Sequence, residues 1–129
     1  MSAELTDVII AKLKKSSFSN MKDGEDSNII LFSDTDVFPE PPYVVVKPEF
    51  GVGANTRQFR IIAHHKKGFF EVLDKYVLKE LDELLLGGIE DDKGNRYNLY
   101  ANGYTDIMPE PTDNTYFMER LYFTPLRSD

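Results

Sequence analysis

The spacing of apolar residues along the chain predicts two amphipathic helices, the first of them near the N-terminus. Between residues 4 and 15, apolar side chains recur at intervals of three and four, which places them on one side of a helix. These side chains are Leu5, Val8, Ile9 and Leu13. Ser2 is a suitable N-cap for this helix. The polar stretch 16–27 that follows predicts a loop.

The second predicted helix, from residue 69 to residue 86, has the stronger pattern. Its apolar stripe comprises Phe70, Leu73, Val77, Leu81 and Leu84. The charged positions that the same spacing puts on the solvent side are Asp74, Lys75, Lys79, Asp82 and Glu83. Gly87 and Gly88 follow directly, where glycine commonly ends a helix. We expect the apolar stripe to hold this helix against a sheet.

Five segments have the composition of β-strands, being apolar, β-branched or alternating in polarity. They are residues 28–33, 43–47, 57–65, 97–104 and 116–123. Pro48 and Pro125 are predicted to end two of these strands, and the stretch 108–114 is predicted to be a loop.

The order of these elements predicts the fold class. Short links between the strands favour antiparallel pairing, and two helices can cover one side of the resulting sheet. The sequence therefore predicts a single α+β domain over residues 1–129. It would hold a mostly antiparallel β-sheet of about five strands with two helices packed on one face, in the order α-β-β-β-α-β-β.

Composition narrows the classes of function. The chain has 129 residues, which is the size of one domain, and its net charge is -7 because 22 acidic residues outnumber 15 basic ones. An acidic surface opposes binding to nucleic acid, where Lys and Arg supply most of the affinity. The absence of cysteine excludes disulfides and thiolate metal sites. We find no signal peptide and no apolar run that could span a bilayer, so we expect folding in a cytoplasm without membrane contact.

Motifs of known chemistry do not occur in the chain. His64 and His65 are the only histidines, and adjacent strand residues point to opposite faces, so they do not converge on one metal ion. The segment 91–95 lacks the glycine and glutamate positions of a calcium loop and predicts a tight turn. The glycines in 51–53 precede a strand and lack the other residues of a phosphate loop. We therefore expect no enzyme activity, no cofactor and no metal.

The aromatic residues leave two interpretations open. Tyrosine is frequent in the C-terminal third of the chain, at Tyr97, Tyr100, Tyr104, Tyr116 and Tyr122. These rings either cover one face of the sheet as part of the fold or form a surface for a protein partner, to which tyrosine is well suited. The proline-rich segment 37–42 and the turn 50–56 are further candidate contact elements, since loops on a rigid sheet commonly carry binding residues.

The order of elements resembles that of the tail terminator and tail-completion proteins of long-tailed bacteriophages. The shared features are the N-terminal helix 5–13, the Pro-Pro-Tyr-Val-Val-Val segment 41–46, the histidine-bearing strand 59–65, the helix 69–86 and two closing strands. The resemblance covers nearly the whole chain and is one of pattern, without a single diagnostic motif.

The resemblance implies a phage or prophage structural protein that forms a ring, commonly a hexamer, at the end of the tail tube or the head–tail junction. Its partners would be further copies of itself and other tail or head–tail proteins, first in the host cytoplasm and then in the virion tail. The contact residues implied by the family are Phe50, Val52, Asn55 and Arg57. Phe38 and Glu40, in the proline-rich segment, complete the predicted interface.

Two other classes of function remain open at this point. One is a small acidic binding or immunity-type module that forms a one-to-one complex with a basic protein. The other is a small enzyme whose catalytic groups come from scattered positions and gather in a deep pocket.

Overall fold

The computed structural model describes residues 2–16, 28–31, 40–49, 56–94, 96–104, 106–110 and 115–125. Within these ranges the chain forms two helices, a six-stranded mixed sheet and a separate two-stranded sheet. The predicted α+β class is therefore confirmed, with more strands than the five expected.

The helices are α1 (Ser2–Lys14) and α2, which consists of three consecutive segments. The segments of α2 are Phe70–Asp74 (α-helical), Lys75–Glu80 (π-helical) and Leu81–Leu85 (α-helical). The strands are β1 (Asn28–Leu31), β2 (Tyr43–Glu49), β3 (Thr56–His65), β4 (Ile89–Glu90), β5 (Arg96–Tyr97), β6 (Tyr100–Tyr104), β7 (Met108–Glu110) and β8 (Thr115–Pro125).

The main sheet has the strand order β1-β2-β3-β8-β6, and β7 also pairs with β8. Strand β1 runs parallel to β2, and the other pairs are antiparallel. All of β3 pairs with one side of β8, from Thr56 opposite Pro125 to His65 opposite Tyr116. Strands β6 and β7 lie one after the other along the other side of β8. The small sheet joins β4 to β5 through the predicted tight turn, in which Lys93 N–H donates to Asp91 Oδ1.

Three boundary predictions were wrong. Pro48 does not end β2, which continues to Glu49 and pairs Pro48 with Phe59. Proline has no backbone N–H and can be accommodated where a strand has no neighbour on one side. Among the described residues β2 pairs with β1 only as far as Val46, so no hydrogen bond to β1 is lost at Pro48. The predicted strand 97–104 is divided between β5 and β6, and the predicted loop 108–114 contains β7.

Both helices pack on one face of the main sheet, as predicted, and share one apolar core with it. Each fully buried large side chain there contributes about 1.5–3 kcal/mol. The main contributors are Leu5, Ile9 and Leu13 of α1, Leu73, Tyr76, Val77, Leu81 and Leu85 of α2, and Ile29, Val44, Val46, Phe59, Ile61, Ala63, Met118 and Tyr122 of the strands. We call this side of the sheet the helix-covered face and the other side the helix-free face.

The π-helical segment changes which side chains of α2 face the core. In a regular α-helix each residue turns the chain by about 100°. Asp82 would then lie half a turn away from the buried Leu73 and would face solvent. The π turn holds one extra residue, and Leu81 N–H donates to the carbonyl of Tyr76, five positions earlier. All later positions therefore rotate back by about 100°. As a result Leu85 is buried where Leu84 was predicted, and Asp82 faces the sheet, which corrects its predicted solvent position.

Candidate functional site

The helix-free face is formed by alternate residues of the central strands. Because side chains alternate along a strand, the residues next to those of the core point the other way. The register places Tyr43, His64 and Phe117 side by side across β2, β3 and β8, and Gln58 beside Phe123 at the other end. The remaining members in these three strands are Val45, Lys47, Arg60, Ile62, Thr115, Glu119 and Leu121.

One end of the helix-free face is buried. The rings of Tyr43 and His64 stack at 4.4 Å between centroids, and Phe117 lies 5.5 Å beyond His64. His64 Nδ1 lies 3.3 Å from the hydroxyl of Thr115, and Tyr43, Val45, His64 and Thr115 are all buried. This end of the face therefore behaves as a small second core, with His64 as a packed aromatic side chain.

His65 lies on the opposite face of the sheet, as the strand period predicts. Its ring stacks on Phe69 at 4.1 Å, and its Nδ1 accepts a hydrogen bond of 2.8 Å from Lys66 N–H. An accepting Nδ1 places the ring proton on Nε2. In the part of the chain that the structure describes, no three His, Asp or Glu side chains come together as potential metal ligands.

The other end of the helix-free face exposes apolar side chains. Tyr100 is 49% exposed and stacks on Phe123 at 5.4 Å. Leu121 lies opposite Gly103, which has no side chain to cover it. Met108 is 45% exposed and lies nearer the buried end of the face, opposite Phe117. Together these form an apolar surface along β8, which we call the sheet patch: Tyr100, Met108, Phe117, Leu121 and Phe123.

An ion pair divides the sheet patch. Arg60 Nη1 lies 3.1 Å from Glu119 Oε2, and Glu119 occupies the position between Phe117 and Leu121 on β8. A partly exposed pair of this kind contributes about 0–1 kcal/mol to stability. Its main effect is to place one charge of each sign within an otherwise apolar surface.

The tyrosines divide between the two interpretations that the sequence left open. Tyr122 is fully buried in the core, Tyr97 is partly buried against it, and Tyr116 packs edge-on against Phe70 at 5.0 Å. Tyr100 is exposed on the sheet patch. Tyr104 belongs to β6, and its side chain lies outside the described residues. Most of the described rings therefore support the fold, and one is available to a partner.

A polar cluster joins α2 to β8 on the helix-covered face. Arg120 Nε and Nη2 donate to the two carboxylate oxygens of Asp82 at 3.0 Å and 2.6 Å, and the Tyr122 hydroxyl donates to Asp82 Oδ1 at 2.6 Å. The Asp82 carboxylate raises the pKa of the Arg120 guanidinium. Burial, followed by the hydrogen bond to Asp82, raises the pKa of Tyr122 well above its usual range. The cluster acts as a helix-to-sheet anchor, which we call the Asp82 anchor.

A groove of about 380 Å³ separates α1 from the β4–β5 turn. Its walls carry four carboxylates and three ammonium groups, so neither sign of charge dominates. The charged lining residues are Asp7, Lys12, Lys15, Glu90, Asp91, Asp92 and Lys93.

Most of the predicted interface residues lie outside the described part of the chain. This holds for Phe38, Phe50, Val52 and Asn55. Arg57 lies in β3 opposite Thr124, with its side chain outside the described residues. Glu40 is exposed, shortly before β2. Sequence reasoning did not single out the sheet patch, although the spacing of Phe117, Leu121 and Phe123 already placed these three on one side of a strand.

The chain matches no protein-family model, and no curated protein matches it at a significant level. Among the described residues, no helix is long and apolar enough to cross a membrane.

Proposed function

We propose that the chain is a structural subunit of phage or prophage tail assembly that forms a ring with copies of itself. The first part of the chain supports this proposal, because its helix, three strands and second helix follow the order on which the resemblance to tail terminator proteins was based; five strands come after them where two were expected. In this role the chain would stand at the end of the tail tube or at the head–tail junction, in contact with other tail proteins. It would need no catalytic group, cofactor or metal.

The observation that carries the proposal is the exposed sheet patch. Isolated apolar side chains are normal on protein surfaces, but contiguous apolar surface commonly marks a contact with another protein. Here the stacked pair Tyr100 and Phe123 continues into Leu121 along one strand. Aromatic residues at the centre of an interface contribute strongly because they exclude water over a large area.

The test is molar mass by light scattering over a concentration series, with negative-stain images of the same fractions. We expect closed rings, and we expect the Tyr100→Asp variant to shift assembly to higher concentration because it places a charge in the contact. Ala11→Asp, at an exposed site on α1, is the control that adds the same charge elsewhere. A wild-type chain that stays monomeric at every concentration would favour instead the one-to-one complex with a basic protein.

A further inference from the structure

The carboxylate of Glu119 stands inside the sheet patch with apolar neighbours. It lies between Phe117 and Leu121 along β8, and Ile62 lies opposite it on β3. Glu119 Oε2 accepts a hydrogen bond of 3.1 Å from Arg60 Nη1. The side chain of Glu119 is only 14% exposed, whereas that of Arg60 is 35% exposed. The guanidinium therefore compensates the carboxylate for hydration that it lacks.

The two members of this ion pair occupy different positions in the patch. Arg60 lies between Leu121 of β8 and Lys47 of β2, so it stands at the polar border of the patch. A long cationic side chain at a border can keep its charged end in water while its stem covers apolar surface. Glu119 is shorter and has apolar residues on both sides along β8. A molecule that covers the sheet patch therefore removes the remaining water from Glu119 first.

The effect of the pair on the patch is larger than its effect on the fold. A partly exposed ion pair contributes little to stability. Two apolar side chains in its place would join Phe117, Leu121 and Ile62 into one continuous surface, and contiguous apolar surface promotes association. The two charges interrupt that surface at its centre.

We propose that the Arg60–Glu119 pair determines which surfaces the sheet patch accepts. A purely apolar surface that covers the pair removes its water and returns no hydrogen bond, so the pair disfavours it. A surface with a polar group opposite the pair and apolar groups around it is accepted. Charges placed within an apolar surface are a common protection against unspecific association. This inference rests on the proposed function, in which the accepted surface belongs to another copy of the chain.

The main test replaces both charges in the full chain. Arg60→Leu/Glu119→Leu keeps the net charge at -7, because it removes one charge of each sign. The sheet patch becomes continuous, so light scattering should give a broad range of masses where the wild type gives one. Fluorescence of the uncharged apolar dye Nile red should also rise severalfold over that of the wild type.

A matched control removes a different ion pair. Lys75 Nζ and Glu80 Oε1 lie 3.6 Å apart on α2, away from the sheet patch. Lys75→Leu/Glu80→Leu adds the same two leucines at unchanged net charge. It should change the mass distribution and the dye fluorescence much less than the double variant in the patch does.

Single variants separate the two members of the pair. Arg60→Leu leaves the Glu119 carboxylate alone among apolar residues, so the midpoint concentration of assembly should rise about tenfold or more. Glu119→Leu leaves Arg60 at the border, where it reaches water, so the midpoint should change less. Ala11→Asp has the same net charge as Arg60→Leu and controls for added repulsion. Circular dichroism checks that every variant folds.

Other results would overturn the inference. A double variant in the patch with the mass and dye fluorescence of the wild type would show that the pair does not control access, while the ring function stands. Equal midpoints for the wild type and Arg60→Leu would mean that the pair stays in water in the ring. A wild-type chain that never assembles would contradict the ring function itself. Dye fluorescence no higher in the patch variant than in the Lys75→Leu/Glu80→Leu control would then reject the inference as well.

Discussion

Tyr122 shows how one side chain can connect the two layers of this molecule. Its ring is fully buried and stacks on Phe59 at 5.5 Å, so it belongs to the sheet side of the core. Its hydroxyl reaches Asp82 on α2, which also binds Arg120 with both carboxylate oxygens. The side chains of Arg120 and Asp82 are only 13% and 22% exposed, so each requires its partner to compensate for lost hydration.

We expect Tyr122→Phe to lower the free energy of unfolding at neutral pH by about 1–2 kcal/mol. The variant keeps the buried ring and removes one hydrogen bond to a charged acceptor, while Asp82 remains paired with Arg120. Urea unfolding followed by circular dichroism measures the loss. Tyr100→Phe, which removes the hydroxyl of an exposed ring, should have almost no effect on monomer stability.

The wild type and the Tyr122→Phe variant also test the raised pKa of Tyr122. Folding favours the protonated form, so the Tyr122 contribution is complete below the ordinary tyrosine pKa of about 10. Above that pH the unfolded state loses its proton while the folded state retains it, and the contribution falls by up to about 1.4 kcal/mol per pH unit. The advantage of the wild type over Tyr122→Phe should therefore shrink between about pH 10 and pH 11. A constant difference would mean that Tyr122 ionises normally in the folded protein.

At the scale of elements, the π-helical segment sets the register of the C-terminal half of α2. Leu81, Asp82 and Leu85 reach the sheet because the extra residue turns them back by about 100°. Since the π turn compensates for one surplus residue, deleting an exposed residue within it should leave a regular α-helix with the same buried side chains. Lys79 is such a residue.

We expect deletion of Lys79 to change the free energy of unfolding by less than about 1 kcal/mol. Deletion of Glu83, which is also exposed, is the control. Glu83 lies after Asp82, so its deletion would turn the residues on one side of it away from the sheet. The helix would lose either the core contact of Leu85 or the contacts of Leu81 and Asp82, which would lower the free energy of unfolding by about 2–5 kcal/mol. Urea unfolding compares the two deletions. Equal losses in both would show that the π turn is not a compensating insertion.

The sequence predicted the elements whose signals are local and missed those that depend on tertiary contacts. The alternating polarity of residues 57–65 was enough to predict a strand, which the structure has as β3. The π turn was missed because nothing in the residues 75–80 distinguishes them from a regular helix. Strand β7 was missed because Met-Pro-Glu is a weak strand former, and its pairing comes from β8.

The same distinction explains the candidate site. Periodicity placed Phe117, Leu121 and Phe123 on one side of a strand, but it could not tell which side the helices cover. That choice depends on the packing of α1 and α2, which share the core with Met118 and Tyr122 of the same strand. The sheet patch lies on the side of the strand that the helices do not cover, so it can be identified only once the fold is known.

At the scale of the whole molecule, net charge opposes the self-assembly that the exposed sheet patch favours. Two copies with a net charge of -7 each and centres about 35 Å apart repel by roughly 6 kcal/mol in water without salt. Assembly of the chain with itself should therefore depend on the salt concentration.

We expect assembly to strengthen as salt rises from about 0.01 M to about 0.1 M, because the screening length falls from about 30 Å to about 10 Å. Light scattering over a concentration series at each salt concentration measures the assembly midpoint, and circular dichroism in the same buffers checks that folding is unchanged. The one-to-one complex with a basic protein should respond in the opposite sense, because salt screens the attraction between unlike charges. Assembly that weakens with added salt would show that ion pairs, and not apolar surfaces, hold the copies together.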